Sequence, residues 1–166
     1  YSDRDAIVNT LPFTDSGRGA YFVNILDKLS GSVNIQIELE GRHILNSPFT
    51  STVVSNKASA ANSILFGSIF GAIKAGDVVS IVLSVKDSFN NAYSYADAAV
   101  SGIVQSSFYS KEISLVSANI PSYAVSMIFT VTGHYTLTLY VENIQLPSTP
   151  FNFTVLPGSI VPENSL

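Results

Sequence analysis

Cysteine is absent from this 166-residue chain, which excludes disulfides, thiolate zinc sites and cysteine nucleophiles. That absence leaves the redox compartment open, because a β-sandwich with a large enough core does without disulfides. Charge is also scarce. Charged residues make up 12% of the chain, against roughly a quarter in an average globular protein. Eight Lys and Arg face twelve Asp and Glu, a formal charge of −4. No basic stripe exists to neutralise phosphates, so no nucleic-acid partner is expected, nor attraction to an anionic membrane surface. Long hydrophobic runs are missing too. The most apolar stretch, residues 63–73, ends at Lys74 and Gly76-Asp77 and is too short to cross a bilayer. No membrane insertion is expected within this segment, and the Gly67/Gly71 spacing inside it carries weight only in a membrane helix. Tyr1 opens the chain without Met, a basic leader or an apolar leader core, which reads as a segment of a longer protein.

What is present is apolar material: 46% hydrophobic residues and a mean hydropathy of +0.33, enough for a core. With so few charges, the surface must draw on Ser, Thr, Asn and Tyr. The chain also repeats itself. An offset of 102 residues takes Gly31-Ser32-Val33-Asn34-Ile35 onto Gly133-His134-Tyr135-Thr136-Leu137, and Ser47-Pro48-Phe49 onto Thr149-Pro150-Phe151. The same offset carries Tyr21-Phe22-Val23 to Tyr123-Ala124-Val125 and Asn62-Ser63 to Asn164-Ser165. One ungapped register of this length predicts a tandem repeat. Residues 1–57 are then the C-terminal half of one repeat, 58–158 a complete repeat, and 159–166 the start of the next. The half repeat is expected to leave open sheet edges that pair with something or stay partly disordered.

Within the repeat, apolar residues alternate. Val33, Ile35, Ile37 and Leu39 share one face of a strand, as do Tyr135, Leu137, Leu139 and Val141, with polar residues between them. Phe151, Phe153 and Val155 alternate likewise, and Tyr123, Val125, Met127, Phe129 and Val131 form another expected inward face. Residues 78–85 are β-branched and apolar almost throughout, as in a central strand, and stop at the polar turn 87–91. Seven strands are expected, near 59–66, 77–86, 98–105, 111–117, 122–131, 133–141 and 149–156. The fold class is all-β, an immunoglobulin-like β-sandwich in tandem repeats, without the Cys-Trp-Cys hallmark of antibody domains.

Two motifs add a resemblance. Gly41-Arg42-His43-Ile44-Leu45-Asn46-Ser47-Pro48-Phe49 resembles the G-x-x-I-x-x-S-P-F signature before the last strand of filamin repeats. Ile144-Gln145-Leu146-Pro147-Ser148-Thr149-Pro150-Phe151 is its second copy, and Gly19-Ala20-Tyr21 with Gly31 resembles the family's G-x-Y strand pair. Ala75-Gly76-Asp77 through Lys86-Asp87 to Asn90-Asn91 is similar to its second strand. Pro121-Ser122-Tyr123 and Val33 depart from the pattern, which marks a divergent member. Bacterial adhesin-type immunoglobulin-like repeats share the A-G … K-D-x-x-x-N strand and generally lack the S-P-F element.

No constellation for catalysis occurs, so no enzyme, cofactor, metal site or small-molecule site is expected. His43 and His134 read as exposed bystanders. Glu38 and Glu40 sit two apart on one strand face, about 6–7 Å from each other, and read as solvated rather than as an acid–base pair. Asp3-Arg4-Asp5 offers two carboxylates and no third donor for calcium. Asn152-Phe153-Thr154 is an acceptor for N-glycosylation in a secreted protein. The filamin resemblance implies an edge where partner peptides add a strand beside the third strand, in a groove formed with the fourth. Here that edge is Ala98, Ala99, Val100, Gly102 and Val104, facing Ile113 and Leu115. The expected role is a non-catalytic spacer and protein-interaction repeat of a large multi-repeat protein, with partners taken by strand addition or supplied by neighbouring repeats. A cell-surface adhesive setting is favoured over its alternative, the rod of a cytoplasmic actin-crosslinking protein.

Overall fold

A computed structural model describes residues 11–158. Six short strands precede residue 58: β1 (Thr14–Gly17), β2 (Ala20–Phe22), β3 (Gly31–Ile35), β4 (Glu38–Leu39), β5 (Arg42–His43) and β6 (Phe49–Val53). They pair antiparallel as β1–β2, β3–β6 and β4–β5. Ten strands follow: β7 (Ala58–Phe66), β8 (Ile73–Lys74), β9 (Val78–Asp87), β10 (Val100–Gln105), β11 (Ser110–Ser114), β12 (Val116–Asn119), β13 (Ser122–Ile128), β14 (Gly133–Val141), β15 (Ile144–Gln145) and β16 (Phe151–Leu156). One sheet runs β12-β13-β9-β7; the other runs β11-β10-β14-β16-β8, with β15 folded onto β14.

The sheets face each other through their alternating apolar sides. Val79, Ile81, Leu83 and Val85 of β9 are buried in one core with Tyr135, Leu137, Leu139 and Val141 of β14. At one end of that core Phe129 meets Tyr135 edge-on at 5.0 Å, and Tyr135 stacks on Phe153 at 5.5 Å, arrangements that aromatic quadrupoles favour. This is an immunoglobulin-like sandwich of strands joined by short turns.

The pairing before residue 58 has the register of the pairing after it, displaced by the 102 residues read from sequence. Gly31 faces Val53 and Ile35 faces Phe49, as Gly133 faces Val155 and Leu137 faces Phe151. Asp15 faces Tyr21 as Ser117 faces Tyr123, and Leu39 faces Arg42 as Val141 faces Ile144. A local hydrogen bond recurs as well: Ser47 Oγ accepts from the Ile37 N–H at 2.8 Å and Thr149 Oγ1 from the Leu139 N–H at 3.3 Å.

Three expectations fail for physical reasons. The expected 111–117 strand is two strands. β11 pairs with β10 in one sheet, β12 pairs with β13 in the other, and the chain crosses between them at Leu115. The strand expected to run to residue 131 stops at Ile128, and Val131 is exposed in the loop that follows. Burial expected at Val33, Ile35, Ile37 and Leu39 is partial, and Leu39 is 69% exposed. The alternation is right, but β3 and β6 form a sheet of two strands only, and their apolar face stays partly exposed.

Candidate interaction surfaces

The residues read as a partner-binding edge are not an open edge. β10 is paired on both sides, to β14 from Val100↔Val141 to Gln105↔Thr136 and to β11 from Ser101↔Ser114 to Gln105↔Ser110. Ala98, Val100, Gly102, Val104, Ile113 and Leu115 are buried; only Ala99 is exposed. The Ala98 N–H donates to the Tyr123 hydroxyl at 3.0 Å and the Ala99 N–H to Glu142 Oε1 at 2.8 Å. Small side chains at 98–102 therefore serve close packing rather than room for a guest. Sequence patterning places strands but not their neighbours, and the chain itself, at residues 110–114, takes the third strand's free side.

Among the described residues, the edge on this side of the sheet is one strand further out, on β11. The N–H of Leu115 donates to the Val100 carbonyl and that of Ser106 to the Tyr109 carbonyl. Antiparallel alternation then directs the backbone groups of Lys111 and Ile113 toward β10, and those of Ser110, Glu112 and Ser114 away from it. Beside this edge runs a shallow groove of about 320 Å³ lined by Val78, Tyr109, Lys111, Ser126, Met127 and Ile128. Val78 and Ile128 are more than half exposed there, with Lys111 lining the same groove.

A second set of contacts joins residues 27–30 and 54–56 to the loop after β9. Asp87 has no exposed surface. Its carboxylate accepts hydrogen bonds from the N–H groups of Asn56 (2.8 Å), Phe89 (2.9 Å) and Asn91 (2.9 Å), and from Asn91 Nδ2 (2.9 Å). Burial alone pushes this carboxyl up; the bonds from Asn91, Asn56 and Phe89 outweigh it and hold the group below its ordinary value. Asn91 Oδ1 accepts from the Ser30 N–H at 2.9 Å, and Asn91 Nδ2 donates to the Lys28 carbonyl at 2.8 Å. Lys28 Nζ lies 5.7 Å from the Phe89 ring centre. Nearby, the Ser94 N–H donates to the buried Ser55 Oγ at 2.9 Å. The polar turn at 87–91 was legible in the sequence; its role as a receiver for residues sixty positions upstream was not.

The remaining side chains singled out from sequence stand apart. His43 lies 3.8 Å from Glu38 on an exposed hairpin, and His134 Nδ1 is 3.0 Å from Thr154 Oγ1. Glu40 sits in the turn between β4 and β5 with φ 53°, so it does not share a strand face with Glu38 as the alternation predicts. Asn152 is exposed on β16, its Oδ1 accepting from Thr136 Oγ1 at 2.8 Å. Tyr93 is buried, donates to Asp97 at 2.8 Å and has its pKa raised to about 12 by burial and by that acid. Among the described residues no group of three His, Cys, Asp or Glu could hold a metal ion, and no helix is long and apolar enough to cross a membrane. Asp3-Arg4-Asp5 and residues 159–166 lie outside the described residues.

No family model matches the chain, and no curated protein matches it. Solved structures do. One is the Escherichia coli adhesin FdeC, 20% identical, with a TM-score of 0.62 over 89% of this chain and 48% of that one. The present chain thus spans about half the length of that structure. Another is the Lin-41 filamin domain, 20% identical, with a TM-score of 0.54 over 62% of this chain and all of that domain. The sandwich of β7 to β16 has the fold of a divergent filamin-type immunoglobulin-like domain.

Proposed function

We propose that this chain is a non-catalytic spacer and protein-binding segment of a larger adhesive protein at the cell surface, built from repeats of about 102 residues. Residues 58–158 form the complete repeat and 1–57 the C-terminal half of another, a division supported by the shared register of the two stretches. The start of a further repeat at 159–166 is part of the same proposal. The structural likeness to an adhesin and to a filamin domain supports the fold on which this reading stands. In a secreted setting Asn152, exposed on β16, carries the glycan.

The outer edge of β11 is the observation that carries the binding role. Three outward-facing backbone positions, Ser110, Glu112 and Ser114, lie beside a groove of mixed polar and apolar lining. That arrangement suits an incoming extended segment whose main chain bonds the edge and whose alternate side chains fill the groove. Proline at 112 removes an outward N–H and leaves the bonds to β10 in place. Beads coated with the chain are expected to adhere to cultured cells. Glu112→Pro is expected to cut adhesion at least tenfold while the melting temperature stays within a few degrees. Undiminished adhesion by the variant contradicts strand addition at β11, and wild-type beads that fail to adhere contradict the adhesive role.

A further inference from the structure

The contacts around Asp87 have an asymmetry. The hydrogen bonds to the side chains of Asp87 and Asn91 from residues 28, 30 and 56 come from backbone groups: the Lys28 carbonyl and the N–H groups of Ser30 and Asn56. A backbone partner does not depend on side-chain identity. Any repeat with the same chain path can therefore present these groups to a loop that holds an Asp four residues before an Asn.

The complete repeat has that chain path. At the 102-residue offset Lys28, Ser30 and Asn56 correspond to Thr130, Thr132 and Gly158, none of them proline. The loop at 129–132 lies between β13 and β14 as 27–30 lies ahead of β3. Thr132 is exposed, whereas Ser30 is half-buried beneath Asn91. The Ser55 contact is not repeated, because Pro157 stands at its equivalent position.

We infer, on the reading of the chain as a run of repeats, that this pole is an interaction surface. The backbone of residues 130–132 and 158 receives the Asp-x-x-x-Asn loop of a following repeat, as residues 28–30 and 56 receive Asp87 and Asn91. The latch fixes successive repeats at one angle. An incoming Asp is buried and fully hydrogen-bonded on docking, and an Asn places one acceptor and one donor against the opposite backbone. Two short bonds from one carboxamide set direction as well as distance, so the run of repeats is stiff at its junctions.

Residual dipolar couplings on the 166-residue chain test this. Residues 11–57 and 58–156 of the wild type are expected to share one alignment tensor. In Asn91→Ala they are expected to separate into two, with amide exchange at Ser30 and Asn56 at least tenfold faster. Ser55→Ala, which changes no residue of 58–158, is expected to speed exchange at Ser94 and Asn56 in the same direction, and it carries the test if Asn91→Ala disturbs 58–156. A wild type that needs two tensors overturns the latch, as do variants that keep one tensor and unchanged exchange. Bead adhesion depends on β11, away from this junction. A failed latch therefore leaves adhesion intact, and failed adhesion leaves the tensors shared.

Discussion

Gly102→Val is expected to lower the melting temperature of the sandwich by roughly 10–15 °C in a thermal scan followed by far-UV circular dichroism. A Cβ at Gly102 would lie 2.6 Å from Leu139 Cδ2 and 2.6 Å from the Thr138 carbonyl oxygen. Leu139 is fully buried, and the Thr138 oxygen belongs to the adjoining strand β14, so neither can withdraw cheaply. Overpacking of this kind costs about 1–3 kcal/mol, and about 1 kcal/mol moves the melting point of a 100-residue domain by roughly 4–8 °C. A melting temperature within two or three degrees of wild type would contradict the close approach of β14 to residue 102.

Asp87→Ala is expected to cost about 3 kcal/mol, read from urea unfolding. The substitution leaves the N–H groups of Asn56, Phe89 and Asn91, and the Asn91 carboxamide, without the acceptor they share. A hydrogen bond to a charged group contributes about 1.5–3 kcal/mol, less whatever water regains at these part-buried donors. The same group gives stability a pH dependence with a definite sign. Its folded pKa is lowered from an unfolded value near 3.8. Its contribution is thus fully present above that value and disappears as pH falls through the folded pKa. Wild type is expected to lose more stability than Asp87→Asn on going from pH 5 to pH 2, because the variant has no proton to take up there. Parallel losses in the two proteins would remove Asp87 from the acid response.

The extent of legibility follows from what side-chain patterning encodes. Alternation at Tyr135, Leu137, Leu139 and Val141 reports burial on one face, and the recurrence of Ser47-Pro48-Phe49 at Thr149-Pro150-Phe151 reports a shared chain path. Both are local properties, and both are present in the structure. Which strand lies at an edge is not local. Val100, Gly102 and Val104 have the same sequence pattern whether β11 covers them or a partner does, so the pattern alone points to an edge one strand too far inward. Leu115 gives no sign of the crossing between sheets, since a buried leucine suits either one. The exposure of Leu39 shows the converse: the pattern marks a face suited to burial, not how completely it is covered. The junction escaped for a further reason, that Lys28, Ser30 and Asn56 act through their backbones and so leave no mark in residue type.

Amide hydrogen exchange across β10 and β11 tests the central claim most directly. With β11 covering the third strand, the N–H groups of Gly102, Val104, Lys111 and Ile113 exchange slowly, and those of Ser110, Glu112 and Ser114 exchange at close to the unprotected rate. Rapid exchange at Gly102 and Val104 would mean that the third strand is itself the open edge, and the account of partner binding at β11 would be wrong.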